Sequence, residues 1–303
     1  MFEGRVGFAV GTGRCGTRFL QEVMTREPGV ASTHERNPLA ENFHRYCQWY
    51  RLPVDEEAFV ATKQKEIAAD LQAKDFSFEA SAPLSLSIET LHQAFGARFV
   101  LLVRSPERVI NSYISKGWYA ADYWRRDPSL APGFQAELPS KHHSFSRIVP
   151  SGEEYEEWCR MGRVGKLAWY WNALNRAVLD QFERIPESHR LVVRLEDLSY
   201  DRYRELIGFF GRQAMVSRQR YETIARRRPN RRENVPTTAS WGDTDWSDFF
   251  RYVEPLAQQF DYDVRGLPQK VGGGRSDEGS RQPGRTLPDL RSLFNRLARR
   301  RRK

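Results

Sequence analysis

No run of eighteen apolar residues occurs in this chain, which excludes a transmembrane helix of ordinary length. Cysteine is scarce: Cys15, Cys47 and Cys159 are odd in number, widely spaced and without a CxxC pair. A disulfide framework and a cysteine-based zinc site are thereby disfavoured, and a reducing, cytoplasmic setting is expected. Met1–Arg5 leads into a strand-like run without the apolar region and small-residue cleavage site of a signal peptide, so none is expected. His142-His143 has no further ligand types at metal spacing, and no metal is assigned. Internal repeats are also absent.

What the chain does have is charge, unevenly placed. The net charge is +9, but from Val271 to Lys303 ten Arg and Lys face only Asp277, Glu278 and Asp289, so +7 belongs to the tail. Residues 1–270 read as one folded domain, with 40 % hydrophobic and 29 % charged residues overall, the balance of a globular protein. Residues 271–286 read as a Gly/Ser/charged linker expected to be disordered. In 287–303, Leu287, Leu290, Leu293, Phe294 and Leu297 share one helical stripe among arginines. This basic amphipathic tail fits an anionic membrane surface, at about 1 kcal/mol per nearby basic residue, and a solvated basic tail stands open beside it. Nucleic acid is disfavoured, because no aromatic-and-basic surface accompanies the arginines. The localisation expected is cytoplasmic, with peripheral attachment at the inner membrane face through the tail.

Strand and helix patterns alternate through the body. Residues 5–10, 76–81, 98–105 and 190–198 read as strands; Gly16 to about Arg26, 55–74, 88–95, 169–182 and the stretch from 199 to about Phe210 read as helices. That alternation predicts an α/β fold, a central and mostly parallel sheet flanked by helices. Residues 116–160 are too long for an ordinary connection and read as a lid or acceptor loop, with Trp118, Tyr119, Tyr123 and Trp124 as pocket candidates.

The first strand enters "GTGRCGTR", residues 11–18. A Gly-rich turn between strand and helix lets backbone N–H groups point at an anion, and the helix N-terminus adds positive partial charge. The loop has the length of GxxxxGK[ST], yet Thr17 stands where the lysine of a triphosphate loop belongs. Its cations are Arg14 and Arg18. A second segment, "VRSPERVINSYIS", places Arg104 at the carboxyl end of a strand, where open α/β sheets bind ligands, and Ser112 eight residues later beyond a helix-starting Pro106.

Together these segments resemble the sulfotransferases that use 3′-phosphoadenosine-5′-phosphosulfate (PAPS). "GTGRCGTRFL" is similar to that family's 5′-phosphosulfate loop, and "VRSPERVINSYIS" to its 3′-phosphate motif. "LVVRLEDL" with "LIGFFG", and "ENVPTTASW", resemble its later signatures. The resemblance covers roughly residues 5–265 and implies a PAPS-binding, P-loop-related α/β fold that needs no metal. It implies cofactor contacts from Arg14, Cys15, Gly16, Thr17, Arg18 and Phe19 toward the 5′ side, and from Arg104 and Ser112 toward the 3′-phosphate. Arg231 and Arg232, in a run of five arginines over 226–232, are candidates for a loop closing on the cofactor. Arg14 would also stabilise charge on the leaving phosphate. Glu35, in "THER", matches the carboxylate base of the carbohydrate and tyrosine branches, with His34 the second candidate. Two departures are evident: Ala80 stands where a Lys is common, and Leu195 where an adenine-contacting Tyr is common, leaving Trp241 as a stacking candidate. The acceptor implied is a hydroxyl or amine of a carbohydrate, lipid or other small molecule. The competing readings are a P-loop nucleotide kinase and a non-catalytic protein that binds nucleotide or nucleic acid.

Overall fold

A computed structural model of the chain describes residues 2–120, 147–227 and 236–267. Arg231, Arg232, Tyr123, Trp124, the linker and the basic tail lie outside the described residues. Five strands, β1 (Val6–Val10), β2 (Val30–His34), β3 (Phe76–Ala80), β4 (Arg98–Val103) and β5 (Arg190–Arg194), form one sheet in the order β2-β3-β1-β4-β5. Every pairing is parallel, as short apolar runs separated by helices require.

Side chains alternate across the sheet, so each face has its own core. Phe8, Phe99, Leu101 and Val103 project to one face, against α4 (Ile88–Phe95), α7 (Arg163–Phe182) and α10 (Asp243–Gln259). Ala9, Phe78, Val100 and Leu102 project to the other, against α1 (Thr17–Met24), α8 (Tyr200–Phe209) and α9 (Arg218–Arg227). The remaining helices are α2 (Pro38–Tyr50), α3 (Glu56–Ala73), α5 (Pro106–Ile114) and α6 (Glu153–Arg160). None of the described helices is long and apolar enough to cross a membrane.

Strand order sets where the ligand edge lies. After β1 the chain moves toward β2 and β3; after β4 it moves the opposite way, to β5. Neighbouring strands whose connections diverge leave a crevice outside their carboxyl ends. The loop 11–16 and the segment 104–106 both open onto it.

Several details differ from the sequence reading. The last strand stops at Arg194, because Leu195–Asp197 turns into a short 3-10 segment held by the Arg194–Asp197 ion pair at 2.6 Å. The long helix α7 starts at Arg163, and α2, α6 and α9 were not expected. Trp118 packs on Tyr170 with ring centroids 5.3 Å apart, and Tyr119 is buried in the core beside Trp158. Both ends of the 116–160 stretch are therefore anchored in the fold.

Phe8 and Phe99 face each other in register across β1 and β4, their rings stacked at 5.3 Å and both buried. This pair clamps the two strands that open on the crevice. Phe99→Ala is expected to destabilise the fold by about 3–5 kcal/mol, read from urea unfolding; a loss below about 1 kcal/mol would show that the pair is not part of the clamp.

Candidate functional site

Between β1 and α1 the backbone is left-handed at Gly13 (φ 78°), Arg14 (φ 58°) and Gly16 (φ 103°). Successive turns of this kind curl N–H groups into an anion-binding concavity. Glycine at 16 has a second cause: a Cβ there would lie 2.5 Å from Leu195 Cδ1. Helix α1 begins directly at Thr17 with no acidic residue in its first turn, so its positive end is left uncompensated.

The loop is tied down by its carbonyls. Ser85 Oγ, in the turn Pro83–Leu86, donates to Gly11 O at 2.7 Å. Thr12 O accepts from Tyr113 Oη at 2.6 Å and Tyr170 Oη at 3.0 Å. Arg104 Nη1 donates to Arg14 O at 2.9 Å.

The two motifs meet here. Arg14 Nε donates to Ser112 Oγ at 2.8 Å, which joins the loop to helix α5. Arg104 is held from behind by Trp171 Nε1, which donates to its carbonyl at 3.1 Å. Its Nε is buried and has no acceptor among the described residues. Burial lowers the Arg104 pKa, and the neighbouring Arg108 and Arg14 charges act in the same sense against Glu196. A half-buried cation under that pressure is suited to an anionic ligand.

His34 and Glu35 sit at the carboxyl end of the edge strand β2. His34 Nε2 is 3.2 Å from Thr17 Oγ1, so the imidazole touches the first residue of α1. Burial, reinforced by Arg18, lowers its pKa from the usual 6.5 to about 4. Glu35 is left-handed at φ 47°, with its N–H donated to Ala80 O at 3.2 Å. Burial raises its pKa above the usual carboxylate value, while Arg45, Lys116 and Arg14 act against the rise. Of the two base candidates, Glu35 gains basicity and His34 loses it. The imidazole, neutral near pH 7, is bonded to Thr17.

The other candidates fall as follows. Cys15 is fully buried and its thiol is pushed up to about 11 by burial, so only its backbone can serve a ligand. Arg18 is exposed on the first turn of α1, and Phe19 packs edge-on against Tyr221 with centroids 5.6 Å apart. Trp241 does not offer an open stacking face. Its ring lies among Trp246 and Phe249, 8 % exposed, and its Nε1 donates to Asn111 Oδ1 at 3.1 Å. Sequence reasoning missed Arg45, a buried cation on α2 that faces Glu35, and Tyr113 and Tyr170, which grip the loop. Spacing carries no signal for them, because all three come from elements other than those of the groups they act on.

No protein-family description matches the chain, and no curated protein matches it. Among solved structures the chain is similar to the sulfotransferase domain from the curacin biosynthetic pathway, at 12 % identity and a TM-score of 0.45, over 86 % of this chain and 98 % of that one. It is also similar to the sulfotransferase domain from the Synechococcus PCC 7002 olefin synthase, at 15 % identity and a TM-score of 0.44, over 98 % and 95 % of the two chains. Similarity at this level carries no information on residue roles.

The His34 shift has a stability consequence. Between about 6.5 and 4 the unfolded chain takes up a proton at this histidine that the folded chain refuses, so stability falls as pH falls through that window. In His34→Gln this part of the loss is expected to vanish. Urea unfolding of both proteins at pH 7 and pH 4.5 checks it; equal acid losses would show that His34 titrates normally.

Proposed function

We propose that the chain is a sulfotransferase that takes a sulfuryl group from PAPS and passes it to a hydroxyl or amine of a carbohydrate, lipid or other small acceptor, with 3′,5′-ADP as the second product. The observation that carries this reading is the convergence of Arg14, Arg104 and Ser112 on one left-handed loop, through contacts of 2.8 and 2.9 Å. The residues present fit such a donor. The loop is a cradle in which Gly16 leaves no room for a side chain, and the buried Arg104 Nε lacks an acceptor among the described residues. Thr17 replaces the lysine that a triphosphate loop would carry.

When bound, PAPS would supply the sulfuryl group and a phosphate leaving group. The loop N–H groups, the start of α1 and Thr17 would hold the 5′ side. Arg104 and Ser112 would hold the 3′-phosphate, with guanidinium geometry suited to phosphate oxygens. Arg14, permanently charged, would stabilise the negative charge that grows on the bridging oxygen as the S–O bond breaks. Glu35 would take the proton of the acceptor's hydroxyl or amine. Its basicity, raised by burial, serves that role.

Calorimetry with 3′,5′-ADP, 5′-AMP and Mg-ATP tests the donor. The expected outcome is preference for 3′,5′-ADP, lost by about 10–100-fold in Arg104→Ala, the worth of a hydrogen bond to a charged group. Tightest binding of Mg-ATP would return the loop to the kinases. For the base, Glu35→Gln should keep 3′,5′-ADP affinity while turnover on a panel of carbohydrate, phenol, lipid and peptide acceptors drops by about 10²–10⁴. Undiminished turnover would remove Glu35 from that role.

A further inference from the structure

On the face of β3 that α3 covers, the sheet is not apolar. Phe76, Phe78 and Ala80 point to the opposite core, which leaves Ser77 and Glu79 pointing toward α3. There Lys63, 1 % exposed, reaches three carboxylates: Glu41 at 2.5 Å, Glu66 at 3.0 Å and Glu79 at 3.0 Å. Burying such a cluster is costly, and apolar residues of equal volume would often be as stable or more so. A purely structural account therefore leaves the charges unexplained.

The carboxylates have other partners, and these lie at the candidate base. Three consecutive peptide N–H groups at the end of β2 are all held. Glu35 N donates to Ala80 O at 3.2 Å, Arg36 N to Glu79 Oε1 at 3.0 Å, and Asn37 N to Glu41 Oε1 at 3.1 Å. The middle of this grip is also braced sideways, because Arg36 Nη2 donates to Asp70 Oδ2 at 2.6 Å on α3. Ser81 Oγ adds a bond to Glu41 Oε2 at 2.6 Å. The segment needs holding: Glu35 occupies a left-handed conformation that a non-glycine residue adopts only at a cost of roughly 1–3 kcal/mol.

We propose that Lys63 is a positioning residue for Glu35, acting through Glu41 and Glu79, whose carboxyl groups it holds aimed at the N–H groups of the two residues that follow the base. The assignment of Glu35 as base rests on the preceding reading; the grip on residues 35–37 does not. Lys63 never touches the reacting atoms. Its ammonium supplies the counter-charge without which two carboxylates cannot share a buried site. Burial and Glu41 push the Glu79 carboxyl up to about 7, and Lys63 acts against that rise. Without that counter-charge, Glu79 would be protonated more fully and offer Arg36 N a weaker acceptor.

Hydrogen exchange on the full chain tests this, comparing wild type, Lys63→Met and Lys63→Arg. Peptides covering 34–41 should exchange at least about tenfold faster in Lys63→Met, while those covering the β1–α1 loop and β4 keep wild-type protection. Lys63→Arg, which keeps the charge, should restore most of the protection. Unchanged exchange in 34–41, or an equal rise across the whole chain, would overturn the proposal. Should Lys63→Met fail to fold, Glu79→Gln reads the same segment: it removes the charge and keeps an oxygen for Arg36 N, and protection equal to wild type there would also overturn it. Failure of the base reading is separable. Faster exchange in 34–41 together with full turnover in Glu35→Gln would keep the grip and discard only the base.

Discussion

The site depends on one constraint, that the carbonyl oxygens of the loop after β1 are tied from outside. Ser85, Tyr113, Tyr170 and Arg104 come from four different elements and fasten Gly11, Thr12 and Arg14. A peptide unit whose oxygen is fixed on one side has its N–H fixed on the other, so the loop N–H groups are oriented by the fold itself. Individually these bonds are worth about 0.5–1.5 kcal/mol net. Their larger effect is that freeing a buried carbonyl costs its full desolvation, so the loop has no cheap alternative. Preorganisation of this sort is what makes dipoles useful to a developing charge.

Charge balance at the crevice follows from the same arrangement. Arg14, Arg18, Arg45, Arg104 and Lys116 gather around Glu35, His34 and Glu196, and the cations act on one another as well as on the acids. The surplus is positive, partly buried, and set beside the start of α1. The basic character that composition alone assigned mainly to the tail has a second, structured centre here, built from residues scattered over the first 116 positions.

Much of this was legible in the sequence where the signal was local. Strand β1, the glycines, Arg14 and Thr17 lie in one window, and so do β4, Arg104, Pro106 and Ser112, so each half of the candidate site carries a local signal. The bond between the halves carries none, since it depends on strand order. Helix α2 was missed for a different reason. It turns Glu41, His44 and Arg45 inward and leaves Leu39 and Phe43 exposed, the reverse of the pattern that marks an amphipathic helix. The polar layer around Lys63 shares that origin, because a Lys and several Glu on a long helix read as a solvated face. Trp241 shows the opposite error: an aromatic in a ligand-like motif turned out to be core packing.

Among the described residues, only five non-glycine positions are left-handed, and Arg14 and Glu35 are two of them. At both, a glycine would relax the backbone and fold more readily, while deleting the cation or the carboxylate that the chemistry is read to need. Under the proposed roles, selection for stability and selection for turnover would pull in opposite directions at these two codons. A lineage released from the need to catalyse would be free to drift toward glycine there, whereas one still under that demand has to keep the costlier residue.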